Sequence, residues 1–197
     1  DLPPLPLIAS TQMHNADPAR VAFLEKAGFS RVILERGLSL PEMRLIREST
    51  SIELEAFVHG AVCVCFSGQC YLSASLGDRS ANRGTCGQPC RLPWNLLDGQ
   101  GRVLQENRHL LSLKDLDRSS GLAGLIDAGV TAFKIEGRLK DVSYVKNVTA
   151  FYRTLLDGII AERPGLGRAS SGSTVFSFSP DPRKTYNRWA TDFFLHG

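Results

Sequence analysis

The sequence predicts an α/β fold, the C-terminal half of a TIM-like (β/α) barrel that carries a Cys-rich insertion. Three observations predict it. Short apolar runs alternate with amphipathic stretches and Gly-ended connections, the pattern of parallel strands covered by helices. Polar or charged residues follow successive runs, at His14, Glu35-Arg36, His59, Lys114-Asp115, Glu136 and Arg138, where barrel enzymes carry their sites. No Gly-rich phosphate fingerprint follows any strand, which takes away the best support for an open dinucleotide-binding sheet. A complete barrel takes about 250 residues, so the four or five strands legible in 197 residues fill the later half of one.

The elements follow in order. Leu5 to Ser10 reads as a short buried strand that runs into Thr11-Gln12-Met13-His14-Asn15. Asp17 caps a helix with Pro18 at its first position, apolar spacing through Val21, Leu24 and Ala27, and Gly28 as its stop. Val32 to Leu34 is a second strand. Ser39 caps the next helix, with Pro41 in the first turn and Met43, Leu45 and Ile46 turned inward. Ile52 to Val58 is the third strand, ending in His59-Gly60. Beyond the cysteines, His109 to Leu113 reads as a strand ending in Lys114-Asp115, and Leu122, Leu125 and Ile126 form a helical stripe closed by Gly129. Val130 to Ile135 is a further strand, finishing in Glu136-Gly137-Arg138. Asp141 opens the longest helix, with its stripe running from Tyr144 through Val145, Val148, Phe151, Tyr152, Leu155 and Leu156 to Ile159. Residues 1–163 thus form a partial barrel with a Cys-rich loop over 60–108. Residues 164–197 form a Gly/Ser/Pro-rich linker and the start of a following segment, where Thr191 to Leu195 reads as the first strand of another domain.

Composition sets the bounds. With 43% hydrophobic and 22% charged residues the chain buries a real core and is not disordered. A net charge of +3 permits contact with nucleic acid without demanding it. No apolar run reaches the roughly 18 residues of a membrane span, and the start, Asp1-Leu2-Pro3-Pro4, is not a signal peptide. The first residue is not Met, so a fragment of a longer protein is expected, and an incomplete barrel exposes two strand edges to partners or aggregation. An odd count of 5 cysteines without a secretion signal argues against a disulfide framework and for a reducing cytoplasmic setting.

All the cysteines lie between Cys63 and Cys90, spaced C-x-C-x4-C and then, fifteen residues on, C-x3-C. Sulfurs gathered at one break in a scaffold point to a metal site. Four thiolates suit a cubane cluster or a structural zinc. Zinc ribbons favour C-x2-C pairs, which neither end shows, so an iron–sulfur cluster ranks ahead of zinc, with a catalytic thiol or inert packing as further alternatives. Gly68, Gly77, Gly84 and Gly87 let backbone amides approach bound sulfur. Cys63 and Cys65 alternate at the end of an apolar strand, so one of them also reads as a small buried side chain.

Glu55-Ala-Phe57-Val-His-Gly60-Ala-Val-Cys63, followed after four residues by Gly68-Gln-Cys70-Tyr-Leu72-Ser73, resembles the signature of the collagenase-like U-32 peptidase family at every defined position. Gly77-Asp-Arg79-Ser-Ala-Asn-Arg83-Gly84, Cys86-Gly-Gln-Pro-Cys90-Arg91-Leu-Pro93, Lys134-Ile-Glu136-Gly137-Arg138 and Thr191-Asp192-Phe-Phe extend the resemblance over nearly the whole chain. These stretches are most similar to the branch that hydroxylates a cytidine of 23S ribosomal RNA, rather than to its tRNA-uridine relative. The resemblance implies a TIM-like barrel whose first half lies outside this chain. It also implies a 4Fe-4S cluster on Cys63, Cys70, Cys86 and Cys90, and hydroxylation that draws on prephenate as co-substrate. Cys65 falls at a position the signature leaves free and ranks as a bystander.

An RNA-modifying enzyme is the leading reading. Arg79, Arg83, Arg91, Arg102 and Arg108 outnumber Asp78, Asp98 and Glu106 in the loop and suit RNA phosphates, while Tyr71 or Trp94 suits base stacking. Pairing with nearby carboxylates explains any single arginine equally well. Arg138 is the candidate fork for a carboxylate of the oxygen donor, with Lys134 and Glu136 as rim groups and a ferredoxin-like protein as electron donor. Peptide hydrolysis is the second reading. His14, His59 and His109 sit at strand ends, His59 being the one placed in the candidate site, but H-E-x-x-H and G-x-S-x-G are both missing. A non-catalytic zinc module is the third.

Overall fold

Strand β3, Glu53–Gly60, is the spine of the molecule. The computed structural model describes residues 5–197; the reading of Asp1 to Pro4 lies outside the described residues. β1 (Ile8–Ala9), β2 (Arg31–Ile33) and β3 run parallel in sequence order, and β7 (Val130–Ile135) lies parallel along the other edge of β3. β6 (Asp115–Asp117) pairs antiparallel with His59 and Gly60, so β2 and β6 share one edge of β3 while β7 holds the other. β8 (Ala190–Thr191) then pairs parallel with β6. The result is a mixed α/β fold on a largely parallel sheet, and the sheet is open among the described residues.

Period-two alternation sorts β3 into two faces. Leu54, Ala56 and Val58 join Val32 and Val130 in the main core, where helices α1 (Pro18–Lys26), α2 (Leu40–Ser49), α4 (Leu122–Asp127) and α5 (Val142–Glu162) all pack. The opposite face carries a small cluster of Ile33, Phe57, Val62 and Leu116, beside an ion network in which Arg31 meets Glu53 (2.8 Å) and Glu55 (3.1 Å) and Lys134 meets Glu55 (3.4 Å). The helices form as their caps dictate. Asp17 accepts from the Arg20 amide, Ser39 and Glu42 form a reciprocal capping box, and Asp141 accepts from the Tyr144 amide.

Several expectations change. Leu5 to Ser10 supplies only a two-residue strand, and Leu7 and Ile8 are exposed. Ala27 and Leu45 lie on the outer faces of their helices. His109 to Leu113 is not a strand; the chain turns there, and β6 starts at Asp115 and runs against β3. The stretch from Leu72 to Arg108 holds elements the apolar pattern did not reveal, a short helix α3 (Leu72–Leu76) and a hairpin of β4 (Trp94–Leu97) with β5 (Val103–Arg108).

Thr191, read as opening another domain, instead extends this sheet, and Leu195 is fully buried in the main core. Arg118 anchors that segment. It has no exposed surface, and it donates to the carbonyls of Arg36 (2.9 Å), Leu38 (3.2 Å), Asp192 (3.1 Å) and Phe193 (3.0 Å). A Cβ on Gly121 would lie 2.2 Å from Leu195 Cδ2, so the side chain fills a slot shaped for it. Leu195→Ala is therefore expected to cost about 2–5 kcal/mol through lost burial and the void left behind, read as a lowered midpoint of urea unfolding with an unchanged slope.

Candidate functional site

The end of β3 opens into a cavity of about 260 Å³. Cys63, Cys65, Cys70 and Cys86 line it. Cys90 lies just behind, close enough that the Cys86, Cys63 and Cys70 thiols raise its pKa after burial and against Arg91. The five sulfurs separated by sequence are thus gathered at one place. The loop that gathers them is pinned at several points. The Cys70 amide donates to Asn82 Oδ1 (3.0 Å), and the Ser73 hydroxyl accepts from the Gly87 amide (3.0 Å) and donates toward Cys86 Sγ (3.8 Å). The Gln88 amide donates to the same sulfur at 3.3 Å. Backbone and hydroxyl donors aimed at a cysteine sulfur are the outer contacts that a thiolate ligand uses.

Charge surrounds the sulfurs. Arg36, Arg91, Arg138, Lys140 and Arg188 line the cavity, against Glu136 as its carboxylate. Burial pushes the Cys63 thiol up, and Arg36 pulls it back down ahead of the smaller effect of Arg91. Cys63 nevertheless shows surface to solvent, because what it exposes is cavity wall. Arg36 stacks over the Phe57 ring (3.9 Å), donates to Ser67 Oγ (3.1 Å) and meets Glu136 at 3.5 Å. Among the described residues no three His, Cys, Asp or Glu groups are arranged to hold a single metal ion. The thiols border a space instead of closing on one point. A donor set made of thiols is the chemistry that iron–sulfur groups and structural zinc both use.

The other candidates divide. Glu136 and Arg138 line the cavity, and the Arg138 guanidinium reaches the Gly84 and Cys86 carbonyls at 3.5 Å. Lys134 does not line it; it pairs with Glu55 on the sheet. His59 also turns away. A register slip between Phe57 and His59 sets its ring against Tyr152 (5.5 Å) and Tyr144 (6.1 Å) of α5, with Asp117 at 3.9 Å. His14 packs edge-on to Phe66, His109 meets the Arg91 carbonyl, and neither lines the cavity.

Of the arginines read as RNA contacts, Arg79 donates to the Thr85 carbonyl, and Arg91 is tied to Ser112, Leu113 and Val62. Arg83 is exposed and has no side-chain partner among the described residues. Trp94 donates to the Pro89 carbonyl, whereas Tyr71 is exposed. Sequence reasoning missed Lys140, Tyr186 and Arg188 on the cavity wall. Asp115 places two of them, pairing with Arg188 at 2.9 Å and Lys140 at 3.8 Å, a contact visible only once β6 and β8 lie side by side.

The family model for Peptidase family U32 matches residues 1–197, and the chain belongs to that family. It is 52% identical, over all of its own length and 30% of the relative's, to the 23S rRNA 5-hydroxycytidine C2501 synthase of Escherichia coli. It is 37% identical to an uncharacterised protease of Methanocaldococcus jannaschii, covering 95% of this chain and 46% of that one. It is 36% identical to the tRNA hydroxylation protein P1 of Bacillus subtilis, covering 78% of this chain and 38% of that one. The chain therefore spans less than half the length of these relatives. No solved structure matches it.

Burial lowers the pKa of His59 below the ordinary 6.5, although Asp117 and Asp115 pull the other way. The unfolded chain then takes up the proton first as pH falls, so stability present above 6.5 is lost below it. Unfolding free energy measured between pH 7 and 5 is expected to fall more steeply in the wild type than in His59→Gln; equal slopes contradict the assignment.

Proposed function

We propose that this chain is the cysteine-bearing part of an RNA hydroxylase, which modifies a cytidine of 23S ribosomal RNA in the cytoplasm and uses prephenate as co-substrate. Two observations support the reading, and the first carries it. Four of the five thiols, those of Cys63, Cys65, Cys70 and Cys86, line one cavity together with Arg36, Arg91, Arg138 and Arg188. The chain also matches, over its whole length, a relative named for cytidine hydroxylation in 23S rRNA, and another relative is named for tRNA hydroxylation. No described helix is long and apolar enough to cross a membrane.

Cys63, Cys70, Cys86 and Cys90 would hold a 4Fe-4S cluster, which when bound supplies electron transfer at the cavity. Arg36 and Arg91 offset the negative charge that four thiolates gather in a partly buried place. Arg138 binds a carboxylate of prephenate through its planar fork, and Glu136 orients it by accepting from the Arg138 amide at 3.1 Å. Arg83 and Tyr71, both exposed on the cysteine loop, meet a phosphate and a base of the RNA. A ferredoxin-like protein delivers electrons. The sheet belongs to a TIM-like barrel completed by chain outside this segment. Among the described residues, α1, α2, α4 and α5 cover one face while charged pairs lie on the other, which suits a barrel wall better than a doubly wound sheet with helices on both faces.

The peptidase reading is weaker here, because no histidine lines the thiol cavity among the described residues. Iron, sulfide and a brown absorbance are expected in the whole protein purified without oxygen, and Cys63→Ala, Cys70→Ala, Cys86→Ala and Cys90→Ala should each lose most of the iron. Zinc in place of iron favours a structural module. Mass spectrometry of ribosomal RNA from cells lacking the gene decides the substrate: cytidine hydroxylation should disappear, and its persistence overturns the proposal.

A further inference from the structure

Cys65 is the thiol that the proposed ligand set leaves over, and its surroundings give it a partner. Between Cys65 and Cys70 the chain makes a hydrogen-bonded turn, with the Gln69 amide donating to the Phe66 carbonyl at 3.1 Å. Gly68 occupies the third position of that turn with φ +77°, the conformation a type II turn demands there. A Cβ on Gly68 would lie 1.8 Å from the Gln12 carbonyl oxygen, so the turn is pressed against the segment after β1 and has one shape. Cys65 and Cys70 flank the four residues of this turn, and the Cys70 thiol is near enough to act on the Cys65 thiol. A disulfide spans Cα atoms about 4.4–6.8 Å apart.

Side-chain placement agrees. Cys65 Sγ lies 3.4 Å from the Gln69 carbonyl, beside the Cys70 nitrogen, which Asn82 fixes at 3.0 Å. Both thiols border the same cavity, and neither is closed off from small molecules.

We propose that Cys65 and Cys70 form a reversible disulfide whenever Cys70 is not engaged by another ligand. Cys65 is then a guard for Cys70, holding it in a form that reduction restores and keeping it from irreversible oxidation. With a small disulfide as oxidant, one thiolate attacks and releases one equivalent of the small thiol, leaving a mixed disulfide. The second cysteine then displaces the other equivalent. Two protein S–H bonds are lost, one S–S bond forms, two electrons pass to the oxidant, and the protons leave on the two released thiols. The pairing needs no particular group in the cavity, so it stands or falls separately from the cluster.

The test uses the whole protein stripped by a chelator under reducing conditions, exposed to oxidised glutathione, alkylated, digested and sequenced by mass spectrometry. A Cys65–Cys70 link is expected, reversed by dithiothreitol, with Cys63, Cys86 and Cys90 alkylated. In Cys65→Ser, Cys70 should carry glutathione instead. Alkylation of both Cys65 and Cys70 in the wild type, or Cys70 linked to Cys63, Cys86 or Cys90, overturns the proposal.

Discussion

The ends of β3 and β7 touch at Gly60, and the geometry of the cavity follows from that contact. Gly60 has φ +108°, and a Cβ there would sit 2.3 Å from the Glu136 carbonyl oxygen. The Glu136 amide donates to the His59 carbonyl at 2.8 Å, and Tyr144 of α5 donates its hydroxyl to the Glu136 carbonyl at 3.1 Å. Any side chain at this position would part the two strand ends, because the obstacle is backbone and cannot swing aside. With the strands in contact, the chain leaving β3 enters the cysteine segment beside Glu136 and Arg138. Cys63 and Arg138 line the same cavity because this crossing point carries no methyl group.

A second clamp holds another part of the wall. Arg118 is buried whole, and burial lowers its pKa to about 10 against the pull of Asp192 and Glu35, so it keeps its charge at neutral pH while donating to four carbonyls. Two of those carbonyls belong to Arg36 and Leu38, so the loop that carries the Arg36 guanidinium to the cavity is held from behind. The other two belong to Asp192 and Phe193, a few residues beyond Arg188. One buried charge thus couples the early loop and the last strand, and both deliver cations to the thiols.

Most of this scaffold was legible in the sequence because local rules wrote it. The caps at Asp17, Ser39 and Asp141 act where they were read, and Val130 to Ile135 is a strand with those bounds. What escaped was non-local or weakly patterned. β6 is three residues, two of them aspartates, and its pairing with His59 and Gly60 depends on a reversal of direction that periodicity does not encode. The hairpin of β4 and β5 is exposed along nearly its whole length, so it shows no apolar alternation; the Asp98-Gly99 pair at its turn was its only local signal. At the site, the cysteines announced themselves by clustering. The Lys140–Asp115–Arg188 contact joins residues far apart in sequence, and nothing in the chain order marks it.

The face of the sheet away from the helices explains why Lys134 misses the cavity, and a register slip explains His59. Alternation along β3 sends Glu53, Glu55 and Phe57 away from the helices, and Lys134 of β7 follows them, so its partner is Glu55 and not the cavity. His59 would continue that series, but the slip after Phe57 hands it to α5, where Tyr152 donates to the Val58 carbonyl and Asp117. Glu136 and Arg138 lie past Ile135, the last β7 residue in register with β3, and both reach the cavity. For residues still inside the ladder, the pleat decides direction, and a single extra residue reverses it. Nearness to a strand's end therefore nominates a site residue only when the pairing partner has already run out.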